Sequence, residues 1–519
     1  MKGRMPEKSL FVALCASVIM LLVLVGTASA QDTGIPWDGP TTLPSYIGSP
    51  TNAHPVPPAR APQNPLMAEN PWNNVHNDTW MSDTYDITGP LGRDPVISTT
   101  RLEAARRNAE SPMFTCGCLT FDSRGRIVAT CIGPGEASLV LLDPISLEVL
   151  ASLHLPVNPD PVAAYGSAYM YLDNRDRAVI NLTDHLWVVE QTGPADSPAF
   201  GEPINYDLTE WLAGDSIQAV MPDWQGRLWF TSRHSATVGV LDPEKYPAEG
   251  SVNVLRFEGE EIGNSPAVTA DATYLVTTKR MYRLAAGANG VPYVVWQSEP
   301  YENVGYKKDG QLTAGSGTSP TILDGGKLVA ITDNADAMQI VVYRTAEKLR
   351  PNEGRVVCKV PVFEPGKGAT EDSLIGLGRS LIVVNQYGYR MWLNKEKNRF
   401  ESSPTEPGVT RIDINDNGVD NGKACQVVWA NEALAEPQVS PKMSTRTGLV
   451  YLFTREYDET GLDAYYWTAV DFRTGDVVWS QLVGTGALFD SYVPGPAIGP
   501  AGTLYVGTYG GLVALRDSR

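Results

Sequence analysis

A pattern of two short apolar strands joined by a polar turn occurs eight times in the 519 residues of this chain. One copy reads CLTFDSRGRIVATC from Cys118, and the last reads AIGPAGTLYVGTYG from Ala497. The other copies begin at Tyr169, Ala219, Ala267, Thr321, Leu374 and Val439. Most copies precede a third strand that ends in Asp, and three precede a fourth strand that ends in Trp296, Trp429 or Trp479. Four short strands per unit, repeated about every forty to sixty residues, predict a β-propeller.

The repeat explains how so long a chain can fold as one ring. A single small sheet cannot bury both faces, and stacking such sheets around an axis supplies the core. We therefore expect an all-β, eight-bladed propeller over 112–519, with seven blades as the alternative if one copy is a loop. The last copy shows only three strands, and an open ring leaves strand edges unpaired. We expect a strand within Asp94–Thr100 to close the ring.

Two stretches resemble the repeats of the quinoprotein, or PQQ-like, eight-bladed propeller superfamily. They are AVDFRTGDVVW (Ala469–Trp479) and GTLYVGTYGGLVAL (Gly502–Leu515). The resemblance implies the fold and a Trp on the outer strand that covers the gap to the next blade. Quinone-using members place two adjacent, disulfide-bonded cysteines beside the cofactor, and this chain has no adjacent cysteines. The resemblance therefore carries over no catalytic residue and gives little support to a PQQ cofactor.

The first thirty residues have the pattern of a signal peptide. Lys2, Arg4 and Lys8 precede an apolar run, Leu10–Val25, and small residues follow at Thr27–Ala30. The alternative is a membrane anchor, because the run is close to the shortest spanning length. We expect cleavage of residues 1–30 and a secreted protein, extracellular or periplasmic, that is not inserted in a membrane.

Two segments separate this signal from the ring. Residues 31–70 are rich in Pro and Gly and predict an extended leader. Residues 71–111 contain Trp72, His76, Trp80 and Tyr85, which are too aromatic for a solvated linker. We expect this second segment to pack against the side of the propeller, and the alternative is that it covers one mouth of the central channel.

Charge and cysteine content restrict the classes of partner and the cell compartment that suit this chain. The net charge is -18, and it becomes more negative once the basic signal peptide is removed. Such acidity argues against nucleic acid as a partner. Oxidising compartments permit disulfides, and we expect Cys131 to pair with Cys116 or Cys118. Cys358 and Cys425 are the remaining cysteines beyond the signal peptide.

Propeller strands run up and down, so the loop entering a first strand and the loop leaving a second strand open on the same face. Binding residues concentrate in such loops on a rigid scaffold. The rule predicts a polar, mixed-charge ligand site around one channel mouth, formed by Arg233, Asn264, Asp333, Asn334, Glu371, Asp372, Asn385, Glu436 and Arg455.

Two subsets of acidic residues predict Ca²⁺ sites, because Ca²⁺ takes several oxygen ligands in flexible geometry. At the mouth, the acids are Glu371, Asp372 and Glu436. Away from it, DINDNGVDN matches the first half of a calcium loop, with structural ligands at Asp413, Asn415, Asn417 and Asp420. An Asx-rich turn is the alternative there.

Two classes of function remain open. The first is a protein that binds a small molecule or polymer at one mouth of the channel without chemistry. The second is an extracellular enzyme, either a quinoprotein-like oxidoreductase or a metal-dependent, lactonase-like hydrolase. His234 is the one histidine among the mouth loops, and it is therefore the candidate general base.

Overall fold

Eight sheets of four or six strands follow one another along the chain in the computed structural model, which describes residues 34–102, 115–133, 136–156, 169–397, 399–415, 424–492 and 495–518. The sheets are the blades of a ring, and we number them one to eight in chain order. The eight-bladed, all-β prediction is confirmed, and each of the eight repeat copies forms the first two strands of a blade.

Three strands precede the blades: β1 (Tyr46–Gly48), β2 (Thr84–Tyr85) and β3 (Val96–Arg101). Blade one contains β4 (Thr115–Phe121), β5 (Ile127–Gly133), β6 (Glu136–Leu142) and β7 (Val149–Leu155). Blade two contains β8 (Tyr171–Leu172), β9 (Ala178–Leu182), β10 (His185–Val189), a small hairpin of β11 (Gln191–Thr192) and β12 (Ala199–Phe200), and β13 (Ile204–Asp207). A short helix, α1 (Thr209–Leu212), leads to blade three, which contains β14 (Ile217–Pro222), β15 (Leu228–Ser232), β16 (Thr237–Leu241) and β17 (Val252–Arg256). Blade four contains β18 (Ala267–Val268), β19 (Thr273–Val276), β20 (Met281–Ala286) and β21 (Pro292–Gln297).

Blade five contains β22 (Thr321–Leu323), β23 (Leu328–Thr332), β24 (Gln339–Arg344) and β25 (Val356–Pro361), with a 3-10 turn at Asp324–Gly326. Blade six contains β26 (Ile375–Leu377), β27 (Ser380–Val384), an inserted hairpin of β28 (Met391–Asn394) and β29 (Arg399–Ser402), β30 (Val409–Ile414) and β31 (Cys425–Asn431). Blade seven contains β32 (Lys442–Ser444), β33 (Leu449–Tyr457), β34 (Asp463–Asp471) and β35 (Val477–Thr485), and a 3-10 turn follows at Ala487–Phe489. Blade eight contains β36 (Ala497–Ile498), β37 (Leu504–Thr508) and β38 (Gly511–Arg516).

The polar turns of the repeat are built by an Asp–Arg pair. In blade one, Asp122 Oδ1 accepts hydrogen bonds from the backbone N–H groups of Arg124 and Arg126, at 3.0 and 2.8 Å. Asp122 Oδ2 accepts a further bond from Arg126 Nε at 2.8 Å. Asp173 with Arg177 and Asp223 with Arg227 repeat the arrangement in blades two and three. One side chain thus satisfies the turn backbone and fixes the register of the two strands.

The ring closes through an N-terminal strand. β3 pairs antiparallel with β38 from Val96 opposite Arg516 to Arg101 opposite Gly511. Blade eight therefore combines three C-terminal strands with one strand from the start of the ring, and the prediction of a closing strand in this region is confirmed. The edge of β38 that an open ring would expose is thereby paired.

Tryptophans on fourth strands join neighbouring blades. Trp296 Nε1 donates to the backbone oxygen of Thr345 in blade five at 3.1 Å, and Trp429 Nε1 donates to that of Phe472 in blade seven at 2.9 Å. A Cβ at Gly475, in the Thr-Gly turn of blade seven, would lie 2.6 Å from the indole of Trp429, so only glycine lets the indole pack against this turn.

Trp479 is fully buried among side chains of blades seven and eight, as expected for a residue between blades. Its strand, β35, is not the outermost one, because β1 pairs outside it with Gly48 opposite Trp479. The expectation of an outer-strand position was wrong here, since the leader supplies a further strand.

Two disulfides are present. Cys116 pairs with Cys131 across neighbouring strands β4 and β5, which resolves the alternative left open by the sequence. Cys358 pairs with Cys425 and links β25 of blade five to β31 of blade six. Cys118 is a buried free thiol. In the described part of the chain, no helix has the length and apolar character needed to cross a membrane.

Candidate functional site

A segment from the N-terminal region crosses the ring along the inner edges of the blades; we define this axial segment as Asn64–Thr88. Its backbone oxygens accept hydrogen bonds of 2.8–3.1 Å from the innermost strands of six blades, at Phe121, Leu172, Val268, Ile322, Gly376 and Met443. The other two blades are bonded through side chains of the segment. Asn64 Nδ2 donates to Pro222 O, and Trp72 Nε1 donates to Ile498 O, both at 3.0 Å.

The axial segment therefore lies along the innermost strands of the blades, at one end of the channel. In seven blades the innermost strand has one edge without a strand partner, and in blade seven that edge pairs in parallel with β2 of the segment. The segment thus satisfies N–H groups along the inner edges of the blades. The contacts fall at the ends of the innermost strands, near the turns that lead to the second strands.

The other end of the channel is covered by the connection between blades four and five, residues 298–320, which we name the cover loop. The backbone of Leu312 is held from both sides: its oxygen accepts from Arg233 at 3.0 Å, and its N–H donates to Glu371 Oε1 at 2.6 Å. Gly310 approaches so closely that a Cβ there would lie 2.3 Å from Gln386 O. The mouth predicted to be an open polar ring is thus closed by the protein itself.

A chamber of about 20 Å³ remains between the axial segment and the cover loop. This volume suits one water-sized occupant. Its walls are formed by Val75, His76, Tyr169, Asn264, Leu312, Glu371, Asp372, Gln438 and Ser440.

His76 is the histidine of this chamber. Its Nδ1 lies 3.1 Å from Asp83 Oδ2, and its Nε2 lies 3.3 Å from Ser373 Oγ and 3.4 Å from Ser319 Oγ. The carboxylate of Asp83 makes Nδ1 the donor, which leaves Nε2 to accept a hydroxyl proton. Lys442 forms a buried ion pair with the same carboxylate. The order Asp, His, Ser is that of a proton relay, and its distances suit hydrogen bonding.

Two acids, Glu371 and Asp372, line the chamber, and a third, the buried Glu436, lies outside its wall. Burial raises the pKa of Glu371 to about 7 and the pKa of Asp372 and Glu436 well above the ordinary range. The negative charges of Asp83 and Glu371 raise the pKa of Asp372 further. Within the described residues, Glu371 Oε2, Glu436 Oε2 and Gln438 Oε1 have no hydrogen-bond partner. Each unpaired buried acceptor costs about 1–3 kcal/mol, so a water or cation in the chamber would be stabilising.

The residues predicted to form the mouth divide into three groups. Asn264, Glu371 and Asp372 line the chamber. Arg233 and Asn334 bind the cover loop, the latter by donating from Nδ2 to Tyr306 O at 3.0 Å. Three others accept hydrogen bonds from nearby backbone N–H groups: Asp333 from Gln339, Asn385 from Ala369 and Glu436 from Phe453. Arg455 lies at a different surface, where it donates to the inserted hairpin of blade six.

His234 lies outside the chamber. Its side chain is 63% exposed, and its Nδ1 is 3.7 Å from Glu261 Oε1. The structure therefore gives no support to His234 as a base acting at the axis. The signal for His76 was its place in NPWNNVHNDTW, where aromatic and amide residues are too dense for a linker.

The proposed calcium loop is only partly described. Arg411 binds both carboxylate oxygens of Asp413, at 3.0 and 2.8 Å, so this acid already has a cationic partner. Asn415 ends the described stretch, and Asn417 and Asp420 lie outside the described residues. Across the described residues, no three His, Cys, Asp or Glu side chains are placed together as a metal centre. The Ca²⁺ sites therefore stay predictions.

The chamber does not fit a quinone cofactor. A cavity of about 20 Å³ has no room for a tricyclic ring system, and its walls contain no cysteine. No step of chemistry is assigned to such a group.

A second cavity, open to solvent, lies against the axial segment at the end where the innermost strands finish. This bowl has a volume of about 350 Å³ and shares no residue with the chamber. Its walls come from the leader (Pro58, Ala59, Arg60, Ala61, Gln63), the axial segment (Glu69, Asn70, Pro71, Trp72, Asp78, Ser82, Thr84, Asp86, Ile87) and Thr445. Burial raises the pKa of Asp78 to about 6, although Trp80 N and Ser82 Oγ donate to it at 2.8 and 2.6 Å.

Comparisons with known proteins identify only distant similarities. No family model matches the chain. An uncharacterized protein from Archaeoglobus fulgidus is 27% identical over 334 residues, covering 60% of this chain and 63% of that relative, which is less than two thirds of its length. Among solved structures, a streptogramin B lyase matches 82% of this chain and 98% of its own, at 11% identity and a TM-score of 0.38. A putative 6-phosphogluconolactonase from Bacteroides fragilis matches 73% and 98%, at 10% identity and a TM-score of 0.39. The chain is an eight-bladed β-propeller, and these matches say nothing about its activity.

Proposed function

We propose that this protein is a secreted β-propeller that binds a small cationic molecule in the bowl. The observation that carries the proposal is Asp78, a buried carboxylate that lines an open cavity of about 350 Å³ on the axial segment. This volume lies within the usual range of small-molecule clefts.

The charges of the bowl favour a cation. Arg60 is paired with Asp86, since its Nε donates to Asp86 Oδ2 at 2.7 Å. Asp78 and Glu69 are left without a basic partner among the wall residues. Trp72 also lines the bowl, and a ring face attracts a cation electrostatically. An ammonium group could therefore interact with carboxylate and ring at once.

Secretion is supported by the signal-like N-terminus and by the two disulfides, which form and persist in oxidising compartments. N-terminal sequencing of the protein recovered from its native host tests this part. We expect the mature chain to begin near Gln31, and recovery of uncleaved protein from the cytoplasm would contradict secretion.

Thermal-shift titrations with choline, putrescine and spermidine test the ligand class. At pH 7.5 at least one of these cations should raise the melting temperature, because ligand binding to the native state stabilises it. The effect should weaken below pH 6, where Asp78 becomes protonated. Asp78→Asn should abolish it, while Glu249→Gln, at an exposed acid outside the bowl, should not. A shift that survives in Asp78→Asn, or no shift with any of the three cations, would refute the proposal.

An enzyme is the second candidate, and the Asp83–His76–Ser373 arrangement favours it. The serine hydroxyl is engaged with the backbone as well, since Ser373 Oγ accepts from Ser319 N at 3.2 Å. Leu312 of the cover loop closes the chamber, so a substrate would have to displace that loop. Hydrolysis of p-nitrophenyl acetate or gluconolactone that is lost in both His76→Gln and Ser373→Ala would support this candidate, and unchanged hydrolysis would exclude the relay.

A further inference from the structure

An open groove lies between blades six and seven, away from the chamber and the bowl. One wall is the inserted β28–β29 hairpin, and the other is the turn between β33 and β34. The groove has a volume of about 570 Å³ and shares no wall residue with either axial cavity. Neither the repeat pattern nor the proposed cation site assigns it a role.

Two aromatic rings face this groove, one from each blade. Trp392 on the hairpin is 46% exposed, and Tyr457 at the end of β33 is 40% exposed. Exposed apolar surface that is concentrated around a concave cavity indicates a binding site more strongly than single exposed residues do.

A buried arginine, Arg455, holds the two groove walls in place. Arg455 donates from one terminal nitrogen to Ser402 Oγ and from the other to Asp463 Oδ2, both at 2.7 Å. This buried side chain therefore ties the hairpin of blade six to the turn of blade seven. Its guanidinium carbon also lies 5.0 Å from the centre of the Tyr457 ring, which fixes that ring from one side. The two walls and the Tyr457 ring are thus preorganised, which reduces the entropy lost on binding.

The groove walls contain five charged residues, and four of them form two ion pairs, with Asp38 as the fifth. Lys397 binds Glu401 at 2.8 Å, and Arg455 binds Asp463 at 2.7 Å. Such walls offer hydrogen-bond donors and acceptors with one more acid than base, which disfavours a polyanion and is too small an excess to select a polycation. Ser403 and Thr460 add hydroxyl groups.

We propose that this groove binds a neutral polysaccharide. The C–H faces of sugar rings carry partial positive charge and pack against the negative faces of aromatic rings. Trp392 and Tyr457 would take these faces, while the paired charges and the hydroxyls of the walls bind the sugar hydroxyls. The site is independent of the proposed cation site, since the two share no residue.

Affinity electrophoresis tests the proposal on the full-length mature protein. The gels contain laminarin, hydroxyethyl cellulose, xylan, galactomannan or pullulan, and alginate serves as the polyanion. We expect retardation by at least one neutral polysaccharide, and a loss of at least tenfold in the affinity for it in Trp392→Ala and in Tyr457→Ala. Tyr293→Ala is the matched control, because Tyr293 is 51% exposed on the outer strand of blade four.

Circular dichroism establishes that each variant is folded, and Trp392→Phe should keep most of the affinity because it retains a ring. Binding that persists in Trp392→Ala, retardation by alginate alone, or no retardation in any of the neutral gels would each overturn the proposal.

Discussion

The buried ion pair between Lys442 and Asp83 holds the axial segment to blade seven, and its removal gives a quantitative test of the fold. The exposed fractions of the two side chains are 1% and 0%. Lys442 Nζ also donates to Val75 O at 2.7 Å, so one ammonium group contacts the segment at two points. Lys442→Met keeps the length of the side chain and leaves the Asp83 carboxylate with His76 as its remaining ionisable partner.

Breaking a buried pair by removing one partner costs about 3–5 kcal/mol, because the other charge stays buried. We expect that cost in the free energy of unfolding for Lys442→Met and a similar one for Asp83→Asn. The double variant contains neither charge, and it should therefore be more stable than the sum of the single effects predicts, by roughly 2 kcal/mol. Urea unfolding followed by far-UV circular dichroism measures all four proteins.

An exposed ion pair supplies the control for this double-mutant comparison. Lys245 and Asp242 are 58% and 22% exposed, and surface pairs contribute about 0–1 kcal/mol. Lys245→Met should therefore change the free energy of unfolding little. A cost below about 1 kcal/mol for Lys442→Met, or additivity of the two core substitutions within about 0.5 kcal/mol, would show that the pair does not anchor the segment.

Four further predictions concern the chamber and the ring. Burial raises the pKa of Glu371 to about 7, so the folded state keeps a proton that the unfolded state loses near pH 4.5, and the free energy of unfolding should fall between about pH 5 and 8. In urea unfolding, Glu371→Gln should remove on the order of 2 kcal/mol of that fall. An unchanged fall would contradict the assignment. If the chamber holds a cation, millimolar Ca²⁺ at pH 8 should raise the melting temperature of the native sequence and not that of Glu371→Gln; equal responses would exclude it. Trp479→Ala should cost about 3–5 kcal/mol in urea unfolding without changing cation binding, and a cost below about 1 kcal/mol would place the indole outside the blade interface. Deleting Gly502–Arg519 removes β37 and β38 and should prevent cooperative thermal unfolding, so a cooperatively melting truncation would refute ring closure.

The parts of the fold that were predictable from sequence are those specified by local chemistry. The Asp122–Arg126 turn places a carboxylate and a guanidinium four residues apart, and the apolar strands on either side alternate around it. The closing strand was predictable for a topological reason, because a ring with three strands in its last blade must recruit a fourth. Outer-strand tryptophans such as Trp429 were recognisable because an indole at a strand end suits the gap between blades.

The parts that were missed depend on non-local pairing of irregular backbone. The axial segment has almost no regular structure of its own, and its hydrogen bonds go to all eight blades, so no periodic signal marks its path. The cover loop is a long connection whose position is set by single contacts such as that of Leu312 with Glu371. The Cys358–Cys425 pair joins different blades, and connectivity of this kind cannot be read from spacing.

The position of Arg455 shows how the closed channel changes the search for function. The strand rule placed it on the mouth face with Glu371 and Asp372, and that rule treats every residue leaving a second strand as facing the axis. The β33 strand of blade seven is nine residues long, however, and it extends to Tyr457. Arg455 therefore meets the inserted hairpin of blade six instead of the cover loop. The axial segment and the cover loop lie at the two ends of the channel, and two ligand-sized cavities lie where blades carry additions to the four-stranded plan: the bowl beside the leader and the groove beside the hairpin.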